Sequence, residues 1–441
     1  MPVFGSLSRR DFLRASSGAT VGSYLAARTV NLTTEAEVAA PASSDVVRFG
    51  IIGVGMEGSA LLKTAVALPG AKCVAACDLY DGRHTLAKEI AGQDIHTTRR
   101  YHELLEDKSI QCVFVATPDF WHKQVVGDAL EAGKDVYCEK PMSHSIAEGR
   151  EMVEAVQRCG GKFVQVGSQR VSSALFAKAK ELVSSGAIGD LMQVELMLGR
   201  NSPQGAWEYP PPLDLSPANL DWTTWQYDVP KVPFNPDIFA RWRCWHQYGT
   251  GVAGDLMVHL LSGMQFATGI NSMPDQATSL GGIFRWKDGR NMPDVLDTLF
   301  QYGKTPVYVR LTLTTETPET TRIMGSKGIV ELKNGELTWI PQLGIDTSPS
   351  YYSQSFPAAI RAKYDHEWHT KHDPILAQHV LSDVTVYQGP YWDNLRPHIA
   401  NFFNAVRTRK PVTEDVVFGH HAAAGCHMAN ASYFEGKTVR S

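Results

Sequence analysis

Val46-Val47-Arg48-Phe49-Gly50-Ile51-Ile52 runs directly into Gly53-Val54-Gly55-Met56-Glu57-Gly58. An apolar, β-rich run that stops at glycines spaced G-x-G-x-x-G, followed by the helix-forming residues 59–68, is the opening of a strand–turn–helix unit. Outward from this stretch the pattern repeats. Residues 73–77 stop at Asp78, and residues 112–116 stop at Thr117-Pro118-Asp119-Phe120-Trp121-His122. Residues 135–138 stop at Glu139-Lys140-Pro141, and residues 162–166 at Gly167-Ser168-Gln169-Arg170. Helix-like stretches lie between them, so repeated strand–helix–strand units and a parallel sheet are expected. In such a sheet a ligand sits outside the carboxyl ends of the strands, where these five segments converge.

The glycine turn reads as a nucleotide site. Gly53 permits the tight turn, Gly55 lets the backbone approach a pyrophosphate, and Gly58 lets helix and strand pack closely. Val54, Met56 and Glu57 complete the cofactor-binding turn. Asp78 lies twenty residues beyond Gly58. Its carboxylate would accept hydrogen bonds from ribose hydroxyls and repel a 2′-phosphate, which favours NAD. Arg83 is near enough in sequence to leave NADP possible.

Two further segments carry chemistry. Pro141 biases Lys140 away from the α-region, holding it extended at a strand end with its ammonium over the cleft. A lysine there can hydrogen-bond a substrate oxygen. Farther on, residues 249–254 lead into Asp255-Leu256-Met257-Val258-His259. Asp255 and His259 are four apart, within reach of each other on one helical face. A carboxylate beside an imidazole fixes its tautomer and raises its basicity, as removal of a hydroxyl proton requires.

Together these residues resemble the glucose-fructose oxidoreductase / inositol dehydrogenase / rhizopine-catabolism (Gfo/Idh/MocA) family. The resemblance runs from about residue 46 to 433. It rests on residues 53–58, Ala116-Thr117-Pro118, Glu139-Lys140-Pro141 and the Asp255/His259 pair, in that order. It implies an α/β chain: an N-terminal Rossmann domain and a C-terminal α+β domain with a large, mostly antiparallel open sheet that often mediates dimers or tetramers. Carried over, Lys140 orients the substrate hydroxyl, and His259 accepts its proton with Asp255 as orienter. Thr117, Pro118, His122 and Glu139 fall in stretches that line the cofactor in this family. Arg170 is a candidate substrate contact.

Residues 200–248 are rich in proline and hold five of the 10 tryptophans: Trp207, Trp222, Trp225, Trp242 and Trp245. Indoles stack on the apolar faces of sugar rings, which makes Trp242 and Trp245 candidate substrate contacts, with Arg241 and Arg243 beside them. The alternative is that these indoles anchor a long loop to the protein or to another subunit. His366, His369 and His372 lack the spacing of a zinc motif and read as a polar loop, so no metal is expected. His420, His421 and His427 fall in a C-terminal helix over residues 419–433, as structural residues. His421 or His427 is near enough to approach the pocket.

Ser8-Arg9-Arg10-Asp11-Phe12-Leu13-Arg14 followed by small, mildly apolar residues is the layout of a twin-arginine export signal. Residues 1–44 are therefore expected to be leader and linker, with cleavage after Ala27, Ala40 or Ala42, and the mature chain periplasmic or secreted. Residues 45–167 form the nucleotide-binding domain and 168–441 the substrate and oligomerisation domain. Outside the cytoplasm no pool of nicotinamide nucleotide is at hand, so the cofactor should be held tightly and restored to its starting redox state in each cycle.

A chain of 441 residues, 43% hydrophobic, buries enough for two domains. Its net charge of −4 recommends no nucleic-acid partner. No apolar run reaches the roughly 18–20 residues of a membrane anchor. The seven cysteines are odd in number and mostly fall within strands, so free buried thiols are expected. The expected activity is hydride transfer between a tightly bound nicotinamide cofactor and a sugar, cyclitol or sugar derivative, in a homodimer or homotetramer. The alternative is NAD-dependent glycoside hydrolysis by transient oxidation and elimination. A third reading is a non-catalytic sugar-binding protein.

Overall fold

The computed structural model describes residues 28–32, 46–342, 344–378, 384–389 and 394–441. Strand β1 (Arg28–Asn31) joins the larger of two sheets, and the smaller sheet follows it in the chain. The smaller sheet contains β2 (Val47–Ile52), β3 (Ala71–Cys77), β4 (His96–Thr98), β5 (Cys112–Val115), β6 (Asp135–Cys138) and β7 (Val164–Val166). All pair in parallel, in the order β4-β3-β2-β5-β6-β7. The chain leaves β2 in one direction and returns to its other side at β5, so a crevice opens between their carboxyl ends.

Both faces of this sheet are buried, which is why its strands read as continuous apolar runs. On one face Phe49 and Ile51 pack with Phe114, Phe402 and Phe403. Ile52, Val113 and Val115 face the other way, among Val125, Val126 and Leu130. Phe402 and Phe403 come from the helix Leu395–Thr408, far along the chain, and lie 5.5 and 5.7 Å from the Phe114 ring.

The larger sheet has ten strands. After β1 come β8 (Leu191–Gly199), β9 (Gln276–Gly282), β10 (Val295–Tyr302), β11 (Thr305–Thr312) and β12 (Thr317–Gly325). β13 (Gly328–Lys333), β14 (Glu336–Pro341), β15 (Thr385–Gln388) and β16 (Val439–Arg440) complete it. The order is β1-β15-β14-β13-β12-β8-β11-β10-β9-β16, antiparallel except for β1 beside β15 and β8 beside β11. Period-2 alternation sets its two faces. In β10, Leu296, Thr298, Phe300 and Tyr302 point inward, whereas Leu299 is exposed beside its register partner Tyr308.

The helix Val416–Glu435 packs against β9 and β7 and against the helix Ile146–Arg158, joining the two halves. Its small residues permit this. A Cβ on Gly419 would come 2.5 Å from Val166, and one on Gly425 2.7 Å from Leu261.

Residues 365–372, expected as a loop, lie within the helix Ala358–Gln378, where His372 stacks on Trp368 four residues back. Histidines spaced three apart can share a helical surface, and polarity alone did not separate a solvated helix from a loop. All seven cysteines are free, and Cys159 alone among them is only half-buried. The export signal and the three candidate cleavage sites lie outside the described residues. Residues 28–31, expected as part of the leader and linker, form the edge strand β1.

Candidate active site

The glycine turn closes the carboxyl end of β2. Gly53 has φ +90°, and a Cβ there would meet the Ala116 carbonyl oxygen at 2.5 Å. A Cβ on Gly58 would lie 2.1 Å from the Gly53 oxygen, so the helix Met56–Val66 sits on the turn as only glycine allows. Asp78, at the end of β3, accepts from the backbone N–H of Val54 at 2.8 Å and of Tyr80 at 3.0 Å. Arg83 pairs with Asp78 at 3.3 Å, and its guanidinium lies 4.8 Å from the centre of the Phe239 ring.

A cleft of about 400 Å³ runs from Gly55, Met56 and Glu57 past Thr117 and Pro118 to Glu139, Lys140, Asp255 and His259. A smaller apolar recess opens beside it, between Asp78, Leu79, Tyr101, Trp121 and Trp225. This arrangement fits a dinucleotide. The glycine turn suits phosphates at the helix N-terminus, the recess at Asp78 suits a ribose and a flat base, and the long arm reaches Lys140.

Residues 200–248 fold over this recess. Asp221 N–H donates to the Leu79 oxygen at 3.0 Å, and Asp81 N–H to the Asn219 oxygen at 2.9 Å. Trp121 Nε1–H donates to the Trp225 oxygen at 3.0 Å. Trp222 and Trp225 stack at 4.8 Å, and Trp225 and Phe239 face the cleft. Trp242 also lines it. Trp245 does not. Its indole N–H donates to the Gly289 oxygen at 3.2 Å and its ring packs on the core, so it anchors the segment.

Lys140 follows β6 and precedes a cis peptide bond to Pro141. Its Nζ donates to the Asp255 backbone oxygen at 2.9 Å and to Asp255 Oδ1 at 3.0 Å. Arg243 Nε donates to the same Oδ1 at 2.9 Å. Asp255 therefore binds Lys140 and Arg243 rather than orienting His259 as expected. The reason is local. Ala253–Met257 form a π-helical turn, wider than an α-turn, so residue 259 is not stacked above residue 255. That turn is fixed from outside. Thr250 donates to Asp119 Oδ2 through its N–H at 3.0 Å and its hydroxyl at 2.6 Å, and the Thr250 oxygen accepts from Asn430 at 2.8 Å.

The charges follow from this geometry. Burial alone would raise the Asp255 carboxyl, but Lys140 and Arg243 beside it hold it far below the ordinary carboxylate range. Burial pushes the His259 imidazole well below its usual value, and Lys140 and Arg170 push the same way. It is neutral, and its Nδ1 is buried without a partner. Burial and the nearby Glu57 push the Glu139 carboxyl, in the wall of the cleft, well up.

Two other expected contacts are placed elsewhere. His122 is buried, its ring nitrogens 2.8 and 2.9 Å from the Pro141 and Thr117 carbonyl oxygens, so it braces the cleft wall from behind. Arg170 is engaged bidentately by Glu319 at 3.0 and 2.7 Å. Arg200, Tyr209 and Phe239 also line the cleft, and none of the sequence motifs points to them. For Arg200 a signal existed, its position just past the carboxyl end of β8. Among the described residues no group of three or more His, Cys, Asp or Glu side chains is placed to hold a metal ion.

Residues 47–168 match the sequence profile of the Gfo/Idh/MocA oxidoreductase family, NAD-binding Rossmann fold. Inositol 2-dehydrogenase of Salmonella typhimurium (strain LT2) is 33% identical over 149 residues, 34% of this chain and 44% of that protein. Inositol 2-dehydrogenase 1 of Saccharopolyspora erythraea is 31% identical over 145 residues, 33% of this chain and 43% of that protein. The matches thus span less than half the length of these curated relatives.

Solved structures match over most of the chain. Levoglucosan dehydrogenase in complex with NADH and levoglucosan superposes with a TM-score of 0.64 at 18% identity, covering 89% of this chain and 99% of that one. The WlbA dehydrogenase from Bordetella pertussis, in complex with NADH and UDP-GlcNAcA, gives a TM-score of 0.64 at 15% identity, covering 90% and 99%. At these identities the likeness is one of fold.

Proposed function

We propose that this chain is an NAD-dependent oxidoreductase that oxidises or reduces a hydroxyl-bearing carbon of a sugar, cyclitol or sugar derivative. One observation carries the reading: Lys140 and His259 line the same cleft that begins at the glycine turn of the NAD-binding domain. Bound there, NAD supplies a hydride acceptor and, when reduced, a hydride donor. The inositol and levoglucosan dehydrogenases among the similar proteins support the substrate class.

The protein's own groups divide the remaining work. Lys140 spends two donors on Asp255, and an ammonium has three, so one is left to hold the substrate oxygen. The neutral His259 imidazole accepts the hydroxyl proton during oxidation and returns it during reduction. Asp255 positions Lys140 and offsets its charge. Trp242 offers an apolar face to the ring of the substrate.

The cofactor is held tightly between turnovers. What supports this is the segment 200–248, fastened across the recess by bonds to Leu79, Asp81 and Trp121. It fits the twin-arginine motif at Arg9 and Arg10, since an exported dehydrogenase must bring its nucleotide with it. The exposed pair Leu299 and Tyr308 on the open face of the large sheet supports assembly into homodimers or homotetramers.

The test is to purify the protein without added nucleotide, denature it, and identify what is released. Near-stoichiometric NAD(H), with reduced nicotinamide forming when inositols or hexoses are added, is the expected result. Absence of bound nucleotide would remove the tight-binding part. Failure of every polyol to reduce added NAD would remove the oxidoreductase reading.

A further inference from the structure

Three cations converge on the end of the cleft beyond Lys140. Lys140, Arg200 and Arg243 line it, with the carboxyl groups of Asp255, Asp119 and Glu139 among them. Glu139 is buried, and burial with the nearby Glu57 pushes its carboxyl well up. Asp119 is committed to the Thr250 amide and hydroxyl. Arg170, behind the cleft, is already matched by Glu319.

The two guanidiniums of the cleft are not equivalent. Arg243 is tied through Nε to Asp255 and lies over the Trp242 ring, 4.2 Å from its centre. Arg200 follows β8 and is anchored through its backbone N–H to the Thr312 oxygen at 2.9 Å. Among the described residues no carboxylate is paired with it, whereas Arg170, Arg243 and Arg290 each have one. Arg200, Tyr209, Lys140 and His259 all line the cleft, so Arg200 faces the same space as the catalytic pair. An arginine left unpaired in a walled cleft beside a tyrosine is a fork for a planar anion.

We propose that the substrate is a sugar bearing a carboxylate, a uronic acid or its glycoside, and that Arg200 is the specificity-determining residue that receives the carboxylate. This deepens the proposed function and rests on its placement of the substrate at Lys140 and His259. A carboxylate fits better than a phosphate ester, because one unpaired guanidinium matches one planar, singly charged group. Among the described residues, those lining this end of the cleft include no glycine.

The test is binding, which does not depend on turnover. NAD-saturated protein is titrated calorimetrically with glucuronate and galacturonate, with glucose and galactose as matched neutral sugars, and with glucose 6-phosphate. The expected result is about 10- to 100-fold tighter binding of a hexuronate than of its hexose, the worth of a charge-assisted pair. In Arg200→Gln that ratio falls to near one, and in Arg200→Lys part of it returns. Unchanged NAD affinity and melting temperature in both variants confirm that they fold. Equal binding of uronate and hexose by the native protein overturns the proposal, as does a preference that survives Arg200→Gln or a stronger preference for the phosphate ester. Preferred uronate binding without reduction of NAD would leave this proposal standing and remove the oxidoreductase reading. Reduction of NAD by neutral sugars with no uronate preference would do the reverse.

Discussion

Lys140 Nζ lies 3.0 Å from Asp255 Oδ1, and the guanidinium of Arg243 reaches that same oxygen at 2.9 Å. One buried carboxylate thus balances two cations at the reacting end of the cleft. Removing its charge leaves both uncompensated. We expect Asp255→Asn to destabilise the fold by about 3–5 kcal/mol, the usual cost of breaking a buried pair from one side. Urea unfolding measures this. A variant as stable as the native protein would show that the carboxylate is not balancing the pair.

The Trp225 carbonyl accepts from the Trp121 indole, and its own ring stacks on Trp222 over the cofactor recess. Trp225→Ala opens that cover and removes a large buried ring. We expect NAD to dissociate faster, with affinity lower by about 10- to 100-fold, as for loss of a large buried aromatic contact. Nucleotide retained through gel filtration by the native protein and lost by the variant is the observation to make.

Stability should fall on acidification. Burial holds His398 and His420 down to about 4 and His427 to about 3, and it lowers His122 and His259 as well. In the unfolded chain these imidazoles titrate near pH ~6.5. Below that value the unfolded state binds more protons than the folded one, so the fold loses stability as pH drops from about 6.5 towards 4. Glu139 and Glu414, pushed up by burial, act in the opposite direction above about pH 4.5, but they are outnumbered. A lower urea midpoint at about pH 5 than at about pH 7 is expected, with a slope of roughly 1.4 kcal/mol per pH unit for each net proton. His398→Gln should flatten that slope.

The five strand ends were legible in the sequence because each is a local event: an apolar run, then glycine or polar punctuation. Gly53, Asp78, Thr117 and Lys140 all fall where that pattern puts them. What stayed hidden depends on contacts between distant segments. The Asp255–His259 spacing implied a helical pair, and nothing in residues 253–257 announces a π-turn that hands Asp255 to Lys140 and Arg243. Likewise Phe402 and Phe403 pack beneath β2 and β5 although nearly 300 residues separate them from Phe114. Trp242 and Trp245 are three apart and chemically alike, yet the first faces the cleft and the second serves as an anchor.

Leu299 and Tyr308 are register partners, and both are exposed on one face of the large sheet. If that face joins two copies, burying a charge there should split them. Leu299→Glu is expected to convert an oligomer to monomer by light scattering, with the melting temperature kept within a few degrees. A native protein that is already monomeric would remove this part of the account.

The central claim is that Lys140 holds the substrate oxygen beside bound NAD. The most direct measurement mixes NAD-loaded protein with a panel of inositols, hexoses and hexuronates and follows the absorbance of the reduced nicotinamide, in the native protein and in Lys140→Met. We predict reduction by at least one compound in the native protein, and a rate lower by about 10²- to 10⁴-fold in the variant, with NAD still bound. A Lys140→Met protein that turns over at the native rate would contradict the account.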